Sequence, residues 1–159
     1  METAYPVLVV GAGVAANLLI AGMFVARVHA PRLARPLGFG GTSMALPLAS
    51  ASLVAASDGG DRWAIGLPLV FVMFAVVEVL VDVVLDFEVR RSRWLGPYLG
   101  LFYLAQWAVI GAAFGASEPG GFAVLVTYFA CLLATRYSYR RVGHGGLTAD
   151  PPAHALVRS

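Results

Sequence analysis

The chain has 159 residues, 59% of them hydrophobic and 13% charged, with a formal net charge of +2. Soluble domains carry about 45–50% apolar and about 25% charged residues, and a chain this short cannot hide such an apolar excess from water. Together with a mean hydropathy of +0.78, these values exclude a soluble enzyme, a disordered protein and a disulfide scaffold. They leave a polytopic integral membrane protein.

A helix that crosses a bilayer needs about 20 mostly apolar residues. In chain order, such stretches cover residues 5–26, 37–57, 63–87, 95–116 and 119–135. They predict an all-α bundle of five transmembrane helices forming one domain over residues 1–142. The tail, 143–159, carries three glycines and Pro151-Pro152 and reads as a disordered cytoplasmic end.

The first span contains Gly11-Ala-Gly13-Val-Ala-Ala16, the spacing of a dinucleotide-binding turn. That turn needs a strand before it and an acid about 20 residues on. Here the acid's place is taken by Arg32-Leu33-Ala34-Arg35, and the apolar run passes straight through the glycines. Small residues at this spacing suit close helix packing in lipid, so no nucleotide cofactor is expected. The acidic start and the long apolar run also favour an uncleaved span over a secretory signal ending at Ala30.

The second span, diluted by Thr42, Ser43, Pro47, Ser50 and Ser52, is expected inside the bundle. Ala30-Pro31 through Arg35-Pro36 reads as the break before it, and Ser57-Asp58-Gly59-Gly60-Asp61 as the break after it. With five spans, Arg27, Arg32, Arg35, Arg90, Arg91, Arg93, Arg136, Arg140, Arg141 and Arg158 fall on one side, and Arg62 alone on the other. Positive charge collects on the cytoplasmic side. The expected orientation is therefore N-terminus out and C-terminus in, in a prokaryotic plasma (inner) membrane. Trp63, Trp94, Tyr98, Tyr137 and Tyr139 near the span ends fit an interfacial aromatic belt.

Chemistry concentrates in the third span. Glu78, Asp82 and Asp86 are spaced four apart, and Arg90 continues the spacing, so they share one stripe of a helix. The stripe places Glu78 roughly 12–15 Å from the cytoplasmic end of the span. An acid at the bilayer centre costs about 2.5–3.5 kcal/mol on insertion scales, and intramembrane acids tend to line ion or substrate paths. The expected function is therefore transport or permeation of protons, cations or a small solute. Glu78 would be the deep acid, Asp82 the relay and Asp86 the cytoplasmic mouth. Asn17, Gln106 and Tyr103 are expected as supporting polar groups near Glu78, with Arg136 and Arg90 nearer Asp82 and Asp86.

Two alternatives use the same acids. In one, they are interhelical glue in a non-catalytic scaffold or accessory subunit. In the other, Asp82 and Asp86 bind Mg²⁺ and a lipid diphosphate, with Arg90, Arg91 and Arg93 on the phosphate oxygens. A non-enzymatic role is favoured. Cys131, His29, His144 and His154 lack a metal-ligand spacing, and Ser43, Ser50 and Ser52 have no accompanying base. No cofactor and no nucleic acid is expected. The expected partners are the lipid bilayer and a second copy of the chain or a membrane partner subunit. The run Arg136-Tyr137-Ser138-Tyr139-Arg140-Arg141 reads as an interfacial anchor for anionic lipid.

Overall fold

The computed structural model describes residues 4–81 and 94–142, and these are helical with no strand among them. The helices are α1 (Ala4–His29), α2 (Pro31–Ser43), α3 (Ala45–Ser57), α4 (Arg62–Val79), α5 (Leu95–Ala116) and α6 (Glu118–Val142). Helices α2 and α3 meet at Met44 and make one apolar unit, Pro31–Ser57, so five units are long and apolar enough to cross a membrane. The described residues are thus all-helical and the chain is of integral-membrane character, as its composition implies.

Several boundaries differ from the sequence expectation. The second span begins at Pro31 rather than at residue 37, and the connection before it is Ala30 alone. Proline at the first position of a helix lacks only an N–H that would be unsatisfied there anyway, so Pro31 starts α2 instead of separating it from α1. Pro36 lies inside α2, where it removes a single backbone bond. At the other end, α6 runs seven residues past the expected residue 135 and carries the Arg136–Arg141 run on helix. Apolar length marks the part of a helix within hydrocarbon, not the whole helix, and arginine stems can reach back to the interface. The acids Asp82 and Asp86, the Arg90–Arg93 run and the 143–159 tail lie outside the described residues.

The turn between α3 and α4 is built by local chemistry. Gly59 adopts φ of 70°, a left-handed geometry that favours glycine after a helix, and the Gly60 N–H returns to the Ala55 carbonyl at 2.7 Å. Asp61 then caps α4, accepting from the backbone N–H groups of Trp63 and Ala64 at 2.8 Å each. Replacing such a cap by alanine costs about 1 kcal/mol. Asp61→Ala should therefore unfold more readily than Asp61→Asn in mixed micelles, and equal midpoints for the two would remove the cap from the account.

Helix direction follows from the cross-contacts. Tyr5 donates to the Ala64 carbonyl at 3.2 Å, and His29 Nε2 lies 3.0 Å from the Tyr137 hydroxyl, so α1 runs parallel to α4 and α6. Phe74 packs on Phe102 with ring centroids 5.5 Å apart, and Leu67 reaches Gly111, so α5 runs antiparallel to α4. One end of the bundle then carries Arg27, Arg32, Arg35, Arg136, Arg140 and Arg141. The other carries Asp58, Asp61, Arg62 and Glu118.

The core sits where α1, α3, α4, α5 and α6 converge on Val9, Ala12, Ala16, Leu48, Phe71, Phe74, Ala105, Val109 and Val124. Gly13 allows one close approach in the core: a Cβ there would lie 2.9 Å from Val109 Cγ1 and 3.1 Å from Val124 Cγ2. Large apolar side chains such as Val7, Leu46, Leu53, Val126 and Leu133 point outward, as a lipid-facing surface requires.

Candidate functional site

Between Arg62 at its start and Glu78 near its end, helix α4 is apolar throughout. Its buried positions Phe71, Phe74 and Ala75 share one stripe, and Glu78 continues it at the same helical spacing. That stripe is the face packed against α5, so the part-buried Glu78 faces protein. Its carboxylate Oε2 accepts a hydrogen bond from the Tyr98 hydroxyl, one turn into α5. The Tyr98 ring also packs on Phe74 at 6.0 Å, which fixes where the hydroxyl points.

Tyr98 is the site residue that sequence reasoning missed. It stands 20 positions from Glu78 in the chain, and its place near a span end assigned it to the aromatic belt. The antiparallel return of α5 is what brings the two together.

Asn17 and Gln106 do not join Glu78 as supporting groups, contrary to expectation. Asn17 donates through Nδ2 to the Val124 carbonyl at 3.1 Å and to Thr127 Oγ1 at 3.2 Å, both on α6. Gln106 is fully buried in α5, eight residues from Tyr98, a rise of roughly 12 Å. Between those levels lies the aromatic cluster of Phe71, Phe74 and Phe102, with Phe71 and Phe74 centroids 6.0 Å apart. The polar groups therefore form two levels separated by an apolar layer. Tyr103 is exposed, with its ring against Phe102, and lies on the Tyr128 side of α5. Arg136 lies on the exposed side of α6.

The arginine-rich end holds a second buried charge that sequence reading treated only as an orientation marker. Arg27 is 7% exposed, and its guanidinium lies 5.9 Å from the centre of the Phe24 ring and 5.8 Å from that of Tyr139. A cation held by two rings retains part of the stabilisation it loses on leaving water. Beside it, the His29 and Tyr137 rings stack at 6.0 Å.

Among the described residues, no group of three or more His, Cys, Asp or Glu side chains is placed to hold a metal ion. Cys131 is a buried free thiol within α6. No protein-family model, curated protein or solved structure matches this chain.

Proposed function

We propose that this chain is a small membrane transport or permeation protein in which Glu78 binds and releases protons or a small cation. The observation that carries the reading is Glu78 itself: a carboxyl on the core-facing stripe of an apolar helix, hydrogen-bonded by Tyr98. Placing an acid there costs free energy that a leucine would not. A group that can change protonation while its neighbours keep their packing gives that cost a use. Asp82 and Asp86, four and eight residues further along the sequence, serve as relay and cytoplasmic mouth in this proposal. Arg90 and Arg136 set the field around them.

The proposed orientation is N-terminus out and C-terminus in, within a prokaryotic plasma membrane. Arg27, Arg32, Arg35, Arg136, Arg140 and Arg141 sharing one end of the bundle support it, because positive charge collects on the cytoplasmic side. The centre of the bundle is filled by Val9, Val109 and Val124, so the path is assigned to the α4–α5 side. A second copy or a membrane partner would complete it there.

The competing reading, an accessory subunit without flux, draws on the same Tyr98–Glu78 bond as interhelical glue. A third, Mg²⁺-dependent lipid-phosphate chemistry, rests on Asp82 and Asp86. Proton and cation flux into proteoliposomes decides between them. Wild-type flux that is lost in Glu78→Gln and in Asp82→Asn supports transport, and absence of wild-type flux rejects it. Mg²⁺-dependent retention of a phosphorylated lipid, lost in Asp82→Asn, would favour the enzyme.

A further inference from the structure

The chain contains one asparagine and one glutamine, Asn17 and Gln106. Both are buried within the bundle, at 0% and 2% exposure. Each has an atom without a hydrogen-bond partner: Asn17 Oδ1, an acceptor, and Gln106 Nε2, a donor. Buried polar groups in folded proteins are nearly always hydrogen-bonded; of the three such orphans among the described residues, Asn17 Oδ1 and Gln106 Nε2 are complementary, while Ser138 Oγ lies ten residues beyond Tyr128 along α6.

Register places them at one level. Gly13 faces Val109 of α5 and Val124 of α6. One turn towards the arginine-rich end, α1 presents Asn17, the antiparallel α5 presents Gln106, and the parallel α6 presents Thr127 and Tyr128. Gln106 shares its helical face with Val109 and Ala113, both buried, so its amide is directed into the bundle. The Asn17 orientation is fixed by chemistry: the Val124 carbonyl can only accept, so Nδ2 must face it and Oδ1 must face away.

We infer that Asn17 Oδ1 and Gln106 Nε2 bind one internal water molecule, which donates to the first and accepts from the second. Water is the guest that fits. It carries both functions on one atom centre, and the close packing of Gly13 against Val109 and Val124 bounds the site on the side away from the arginine-rich end. Internal waters of this kind typically bridge otherwise unsatisfied buried polar groups. The site is independent of whether Glu78 carries protons, because the Phe74–Phe102 layer lies between the two levels.

The test uses the full chain, isotope-labelled, in lipid bilayers, by solid-state NMR. With one Asn and one Gln, the side-chain amide region holds signals from these two residues alone and needs no further assignment. The expected result is magnetisation transfer from water to the Gln106 NH₂ protons, with none to the backbone amides of Ala105 and Val109. In Gln106→Met, which keeps the length and removes the donor, the Asn17 NH₂ signals should shift while the remaining spectrum stays in place. No transfer from water to Gln106, or a direct dipolar contact between its nitrogen and the Asn17 carboxamide carbon, overturns the proposal. Equal transfer to Ala105 and Val109 also overturns it, because it would show general hydration in place of a site.

Discussion

Leucine at Gly13 should break the bundle, whereas leucine at Gly11 should leave it assembled. The two glycines are two residues apart on the same helix and cannot be ranked by composition. A Cβ at Gly13 would come within 2.9 Å of Val109 Cγ1 and 3.1–3.2 Å of both Val124 methyls, while nothing lies within 4 Å of a Cβ at Gly11. Valine side chains are stiff about χ1, so neither neighbour can turn aside. Overpacking a close-packed core costs about 1–3 kcal/mol. Leucine adds four heavy atoms at a point where three helices meet, so the upper end of that range is expected. The same insertion would disturb the Asn17–Val124 bond one turn away. Unfolding in mixed micelles, followed by helicity and by Trp fluorescence, reads the difference. Comparable stability of Gly13→Leu and Gly11→Leu would show that the α1–α5–α6 contact is not what holds the bundle together.

Replacing Glu78 by glutamine should reduce proton-coupled flux to the level of empty liposomes without loosening the fold. Glutamine keeps the length of the side chain and still accepts from the Tyr98 hydroxyl, but it cannot exchange a proton at neutral pH. Tyr98→Phe separates the two readings of the contact. It leaves the ring on Phe74 and removes only the donor. A hydrogen bond to a charged group contributes about 1.5–3 kcal/mol, and about 1.4 kcal/mol is a tenfold change. If the bond orients the transporting carboxyl, Tyr98→Phe should lower flux about tenfold or more, on top of a stability loss of about that size. If it is glue, the loss appears in unfolding and in detergent resistance, and flux has nothing to lose. Wild-type rates in Glu78→Gln would end the transport proposal.

Much of the architecture is legible in the sequence. The fourth span is an instance: residues 95–116 were expected, and α5 is Leu95–Ala116. Gln106 alone interrupts the apolar run with a carboxamide, no charge falls within it, and Trp94 and Ser117 bound it. The second and fifth spans were misjudged at their polar ends, for a common reason. Helices continue past the hydrocarbon layer, so the α2 start at Pro31 and the arginine-bearing end of α6 are helical without being apolar. Hydropathy cannot see that continuation, because backbone hydrogen bonding, not side-chain polarity, decides it.

The candidate site divides in the same way. Glu78 stood out because a charge in an apolar run is conspicuous whatever surrounds it. Its partner did not: Tyr98 joins it only because α5 returns antiparallel against the face of α4 that carries Phe71 and Phe74. Asn17 and Gln106 were recognised as mid-span polar residues, but the wrong neighbour was assigned to them. A position along the chain gives depth in the bilayer, while the direction a side chain faces is set by the helices packed around it.

An excess of apolar residues and the placement of scarce charges are therefore sufficient for the all-helical class and for the five helices long and apolar enough to cross a membrane. In lipid each backbone must satisfy its own hydrogen bonds, and a helix does so within its own segment. Which glycine touches another helix, which hydroxyl meets Glu78 and which two carboxamides share a level depend on pairings between segments far apart in sequence. Those pairings are set by side-chain fit between helices, and no local pattern records them.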